Sequence, residues 1–142
     1  MKILFFCAAL LLLPLTLYAV DVTIQMQGLR NDKGYVIIGV YPDAKTFENP
    51  RDAAYYDNKV VIANGKAIAT FDLPAGSYAI SMFHDENSNE ELDLSFIRIP
   101  KEGWGFSRDA KPSPTWPDFE DAAFEVEKTP VSLTINVRYG IL

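Results

Sequence analysis

Oxygen-bearing side chains recur at every second position in "HDENSNEELD", His84 to Asp93. Asp85, Asn87 and Asn89 are followed by Glu91 and Asp93. Calcium takes six to eight oxygens, and loops that supply them place Asp or Asn at positions one, three and five. A backbone carbonyl follows at seven and a further ligand at nine. Counted from Asp85, Asn87 and Asn89 fall at three and five, Glu91 offers its carbonyl at seven, and Asp93 stands at nine. The residues predicted to hold a metal are therefore Asp85, Asn87, Asn89, Glu91 and Asp93, with calcium as the ion.

Two positions depart from that pattern. Position six is ordinarily glycine, because the backbone there has positive φ; here it is Glu90. A side chain in that conformation costs roughly 1 kcal/mol. Position twelve ordinarily supplies a bidentate Glu; here it is Phe96. Glu102, Asp109 or Asp118 would have to fold back to complete the shell. The expectation is a weak site, in the ~10⁻⁴ to 10⁻³ M range of extracellular modules. The competing expectation is an Asx-rich turn whose side chains cap their own backbone.

Other chemistries find less. His84 is the only histidine and Cys7 the only cysteine, which argues against zinc. His84 and Asp85 are adjacent on a predicted strand and point to opposite faces, so they form no base–orienter couple. His84 reads as a structural residue bonded to the loop that follows. Ser107 in "GFSRD" lacks the Gly-x-Ser-x-Gly context of a nucleophile elbow. The tail "VRYGIL" resembles only superficially the Tyr-Arg-Gly-Ser ending of the hydroxyisourate hydrolases, which also need several histidines. No catalytic residues are predicted, and the protein is read as not an enzyme.

The loop must be carried by strands. Val20, Val22, Ile24 and Met26 alternate with Asp21, Thr23, Gln25 and Gln27, the period of a half-buried strand. "RNDKG" then reads as a turn and "YVIIGVY", Tyr35 to Tyr41, as a second strand, so the two suggest a hairpin. A looser stretch to Asn58 has room for a short helix, limited by Pro50. "KVVIA-NG-KAIATFDL" is a hairpin around Asn64 and Gly65, both tolerant of positive φ. "LPAG" makes the next turn, with Gly76 free to take positive φ. "SYAISMFH", Ser77 to His84, is the fifth strand. Residues Asp85 to Asp121 form one long irregular loop, with "LSFIRIP" as a brief strand candidate. "AAFEVEK" and "VSLTINVRYG" are the last two strands, expected as a hairpin.

About seven strands with almost no helix pattern imply an all-β fold. The expected architecture is one antiparallel β-sandwich of transthyretin or immunoglobulin type, with a small barrel as runner-up. "MKILFFCAALLLLPLTLYA" has the layout of a secretory signal peptide, too short to span a bilayer with margin. Residues 1–19 are assigned to it, with cleavage after Ala19, and residues 20–142 to a single domain. The expected location is periplasmic or secreted, with no membrane span after cleavage. The remaining chain has no cysteine for disulfides and relies on its core. Net charge is −6 with no Lys/Arg cluster, which excludes nucleic acid as a partner.

Trp104, Phe106, Trp116 and Phe119 cluster in the irregular segment. Exposed, they would stack on sugar rings and make a carbohydrate-binding module; buried, they would be a satellite core holding the loop down. The partner is thus expected to be a protein or a glycan.

Three segments in order, "FDLPAGSYAISMFHDENSNEELD", "IPKEGWGFSRDA" and "PDFEDAAFEV", resemble a bacterial family, domain of unknown function 2141. That family typically reads Leu-Pro-x-Gly-x-Tyr-Ala, His-Asp-Glu-Asn-x-Asn-Gly-x-x-Asp, Pro-Lys-Glu-Gly, Gly-Phe-Ser and Pro-x-Phe-x-x-Ala. The resemblance implies an exported β-sandwich and brings no established activity. It also implies glycine at the position of Glu90 and Asn-Asn where this chain has Arg108 and Asp109.

Overall fold

A computed structural model describes residues 18–141. The predicted signal peptide therefore lies, apart from Tyr18 and Ala19, outside the described residues. These residues form nine strands: β1 (Ala19–Gln27), β2 (Tyr35–Tyr41), β3 (Tyr55–Val60), β4 (Ile62–Ala63), β5 (Lys66–Pro74), β6 (Gly76–Asp85), β7 (Gly103–Phe106), β8 (Phe124–Val126) and β9 (Val131–Asn136). Two short helices, α1 (Ala44–Phe47) and α2 (Phe119–Ala122), lie in the connections. The expected count of seven grows to nine because the run before Asn64 breaks into β3 and β4, and because β7 arises within the irregular segment.

One sheet has the order β4-β5-β1-β9 and the other β3-β2-β6-β7, with β8 pairing the start of β6. The pairs are antiparallel except β1 with β9, which run parallel. The alternation in β1 is realised: Val20, Val22, Ile24 and Met26 are buried. They meet Val36, Ile38 and Val40 of β2 and Tyr78, Ile80 and Met82 of β6 in one apolar cluster shared by both sheets. The fold is mostly β, two sheets over a common core, a sandwich-like arrangement.

The Asn64–Gly65 hairpin forms as expected, with Ala63 opposite Lys66 and φ of 54° and 70° at the two turn residues. Asp32 caps this turn, accepting from the backbone N–H groups of Asn64 and Gly65. Two other expected hairpins do not form. β1 and β2 lie in different sheets, and β8 pairs β6 while β9 pairs β1. Turn composition marks a chain reversal but does not say whether the next strand pairs with its predecessor or crosses the core. Both strands satisfy their alternation from opposite sides of one core. Gly76, free to take positive φ, does not use that freedom.

The sheet containing β2 and β6 is covered on both faces, which is why "YVIIGVY" is a continuous apolar run rather than an alternating one. Its outer face meets a second cluster of Tyr41, Phe47, Ala79, Trp104, Phe106 and Ala122. In β7, Trp104 and Phe106 face this cluster, while the intervening glycines admit the C-terminal segment. A Cβ on Gly105 would stand 2.6 Å from Ile135, and one on Gly103 2.7 Å from Val137.

Candidate functional site

The acidic loop starts on the last residue of β6. Asp85 is buried, and its two oxygens accept from the backbone N–H groups of Asn89 (3.1 Å) and Glu90 (2.9 Å). Asn87 Oδ1 also accepts from Asn89 N, and Asn89 Oδ1 from Glu91 N. The carboxamide nitrogens of Asn87 and Asn89 turn toward Asp93, at 2.6 and 3.3 Å from its two oxygens. Asp85, Asn87, Asn89 and Asp93 are thus brought together around one coil of chain. Glu91 is joined through its backbone N–H, and its side chain lies in the exposed part of the loop.

A buried carboxylate from outside the loop closes it. Glu102 accepts from Glu86 N at 2.8 Å and from Asp93 N at 3.0 Å. Of the three acids expected to fold back, Glu102 does so. Asp109 instead accepts from Asn136 of β9, and Asp118 precedes α2. Glu90 adopts φ of 63°, the left-handed conformation anticipated for position six, and Ser88 lies at 60°. No group of three or more His, Cys, Asp or Glu side chains is gathered as metal donors among the described residues.

His84 is fully buried and turned away from Asp85. Its Nε2 lies 2.7 Å from the carbonyl of Lys33, so that nitrogen carries a proton. Its Nδ1 lies 2.9 Å from Tyr139 Oη, which itself accepts from Arg30 N. The Glu86 carboxylate lies 3.9 Å from the same Nδ1. The expected bond from His84 to the following loop is not seen; its partners are the preceding turn and the C-terminal segment. Gly34 permits this close approach, since a Cβ there would lie 1.8 Å from the Asp85 carbonyl oxygen.

Arg30, Glu86 and Tyr139 were not anticipated. Arg30 Nε donates to Glu86 Oε1 at 2.7 Å, and its guanidinium lies 4.5 Å from the centre of the Tyr139 ring. Partial burial pushes the Glu86 carboxyl up. Hydrogen bonds from Asn31 and Arg30, with the Arg30 charge, outweigh it and hold the group below the usual carboxylate range. Burial raises the Tyr139 phenol, against the opposing hydrogen bond from Arg30. "RNDKG" read only as a turn, and pairing it with an acid over fifty positions away needed the sheet register.

The aromatics have the satellite-core arrangement. Trp104 is 8% exposed and donates through Nε1 to the Gly140 carbonyl. Phe47 contacts Tyr41, Phe106, Trp116 and Phe119, mostly edge to face. Ser107, considered as a nucleophile, is buried and bridges Ile80 N to the Ala122 carbonyl.

A family model described as an uncharacterized protein conserved in bacteria, domain of unknown function 2141, matches residues 24–134. No curated protein and no solved structure matches the chain. No helix among the described residues is long and apolar enough to cross a membrane.

Proposed function

The chain belongs to the bacterial family domain of unknown function 2141, and on that premise we propose that it is an exported, non-enzymatic binding or structural module. It works in the periplasm or outside the cell as one domain, after removal of residues 1–19. Its acidic loop fastens the long segment after β6 to the end of the sandwich and takes calcium weakly. The transthyretin-like form of the fold is favoured over the immunoglobulin constant type. The latter keeps its first two strands in one sheet, whereas β1 and β2 lie in different ones.

The observation that carries the loop reading is the convergence of Asn87 and Asn89 on Asp93 around buried Asp85. Two carboxylates, two carboxamides and the Glu91 carbonyl make a hard-oxygen donor set, which suits calcium rather than a softer metal. Glu102 is the acid available in place of the missing twelfth ligand. The carboxamides would turn their oxygens toward the ion and give up the bonds from Asn89 N to Asn87 Oδ1 and from Glu91 N to Asn89 Oδ1. The ion would supply folding free energy and no chemistry.

Isothermal titration of the processed chain with calcium tests this. At ~10 mM calcium and a Kd of ~1 mM, linkage gives about 1.4 kcal/mol of stabilisation. That corresponds to a melting rise of about 5 °C for a domain of this size. No heat and no melting shift would remove calcium and leave the self-capped fastener. The glycan reading has less support, because the indole of Trp104 is buried and Trp116 meets the rings of Phe47 and Phe106.

A further inference from the structure

Between Asp93 and Lys101 the chain runs out and back as a small finger. Lys101 N donates to the Asp93 carbonyl, Leu94 bridges Pro100, and Ser95 N donates to Ile99 O at 2.7 Å. The tip is closed by Arg98 N on the Ser95 carbonyl and by Ile99 N on Ser95 Oγ. Its base is tied to the buried Glu102 through Asp93 N. This bonding makes a pre-formed element rather than a loose loop.

The finger presents what a globular surface ordinarily hides. Phe96 is 98% exposed, Ile97 59% and Leu94 39%. Arg98 and Lys101 flank them, and no acidic residue lies from Leu94 to Lys101, in a chain with nineteen acids. Arg98 sits at the tip beside Ile97, and Lys101 at the base, where its N–H meets the Asp93 carbonyl.

We propose that this finger is a membrane-docking tip that inserts Phe96 and Ile97 into the interface of an anionic lipid bilayer, with Arg98 and Lys101 on the phosphates. Two features choose a bilayer over a protein. A stable protein interface takes about 800 Å² from each side, more than three side chains on a narrow tip supply. A bilayer interface accepts a few apolar residues at a time and adds attraction for each nearby cation. The inference goes beyond the loop reading and does not need calcium.

The test is co-sedimentation of the processed chain, in EDTA, with phosphatidylcholine vesicles containing about 30 mol% phosphatidylglycerol. Wild-type protein should sediment with these vesicles and not with phosphatidylcholine alone. Phe96→Asp should reduce the partition at least about tenfold, and Arg98→Glu several-fold. Both side chains are solvent-exposed, so melting temperatures should be unchanged, which separates lost docking from misfolding. Equal binding by Phe96→Asp, or no binding by wild type, overturns the proposal. Self-association abolished by Phe96→Asp, without vesicle binding, also overturns it and assigns the tip to a second copy of the chain.

Discussion

The long segment that leaves β6 is held at two places by opposite means. At its start, Asp85 and Glu102 accept four backbone N–H groups from the coil they enclose. Further on, Phe47, Trp104, Phe106, Trp116 and Phe119 hold it through ring contacts over the outer face of a sheet. The polar fastening depends on direction: a carboxylate shifted by an ångström loses its donors. The apolar one depends on volume and tolerates small rotations. The first suits a region that must hold one backbone path, as a finger or an ion site would require. The second suits a region that must only remain covered.

Paired substitutions should separate the two. Phe47→Ala empties a buried site among four rings and should cost about 3–5 kcal/mol in urea unfolding. Asp85→Ala removes the carboxylate that Glu90 N donates to and one of the two acceptors of Asn89 N, and should cost about 1–3 kcal/mol. Amide exchange then locates each loss. Phe47→Ala should speed exchange over residues 107–122 while Asn89 and Glu90 stay protected, and Asp85→Ala should do the reverse. If either variant loosens both regions equally, the fastenings are one cooperative unit and the contrast fails.

The two regions also differed in how far they could be read beforehand. The spacing from Asp85 to Asp93 was visible because alternate oxygens leave a local signature. The left-handed backbone at Glu90 followed from position alone, and the structure places its φ at 63°. Ring content gave the satellite core, since four large apolar residues in a segment poor in strands need a shared covering. What stayed hidden was long-range. Nothing near Arg30 announces Glu86, and nothing near His84 announces Tyr139, because those pairings depend on which strands are neighbours. The same gap misassigned two hairpins, where alternation fixed each strand's buried face and left its sheet open. β7 was missed because "GWGF" has glycine where a strand ordinarily shows β-branched residues. Those glycines answer the nearness of Ile135 and Val137, again a tertiary fact.

Acid should act on the polar region first. The Glu86 carboxyl is held below its ordinary range, so the folded state keeps the carboxylate where the unfolded chain begins to protonate. The stabilisation is complete above the unfolded carboxyl range near ~4.3 and is lost as pH falls through the folded value. The Arg30 side chain is half exposed, so solvent screening limits the pair to at most about 1 kcal/mol. Glu86→Gln should melt slightly below wild type at pH 7, and the two should converge as pH falls below the folded value. A difference that does not narrow with acid would trace to packing rather than charge.

The smallest effect bears most directly on why the acidic loop has its shape. Glu90 holds a left-handed conformation that costs a side-chain-bearing residue about 1–2 kcal/mol. Glu90→Gly removes that strain but loosens the unfolded chain by about 0.4–1 kcal/mol and forgoes the contacts Glu90 makes, leaving a net gain near ~0.5 kcal/mol. Tyr56 reports whether the coil stays in place, because its phenol is raised first by burial and then by the charges of Glu90 and Asp85. The substitution should lower that phenol's titration while Asp85 still contributes, provided the coil has not moved. A stabilised variant with unchanged calcium response would mean that the strain burdens the fold alone. A variant stabilised further by calcium than wild type would mean that Glu90 opposes the geometry the ion needs. In the second case the polar fastening is an ion site held slightly open by one residue, a sensitivity that the aromatic fastening does not have.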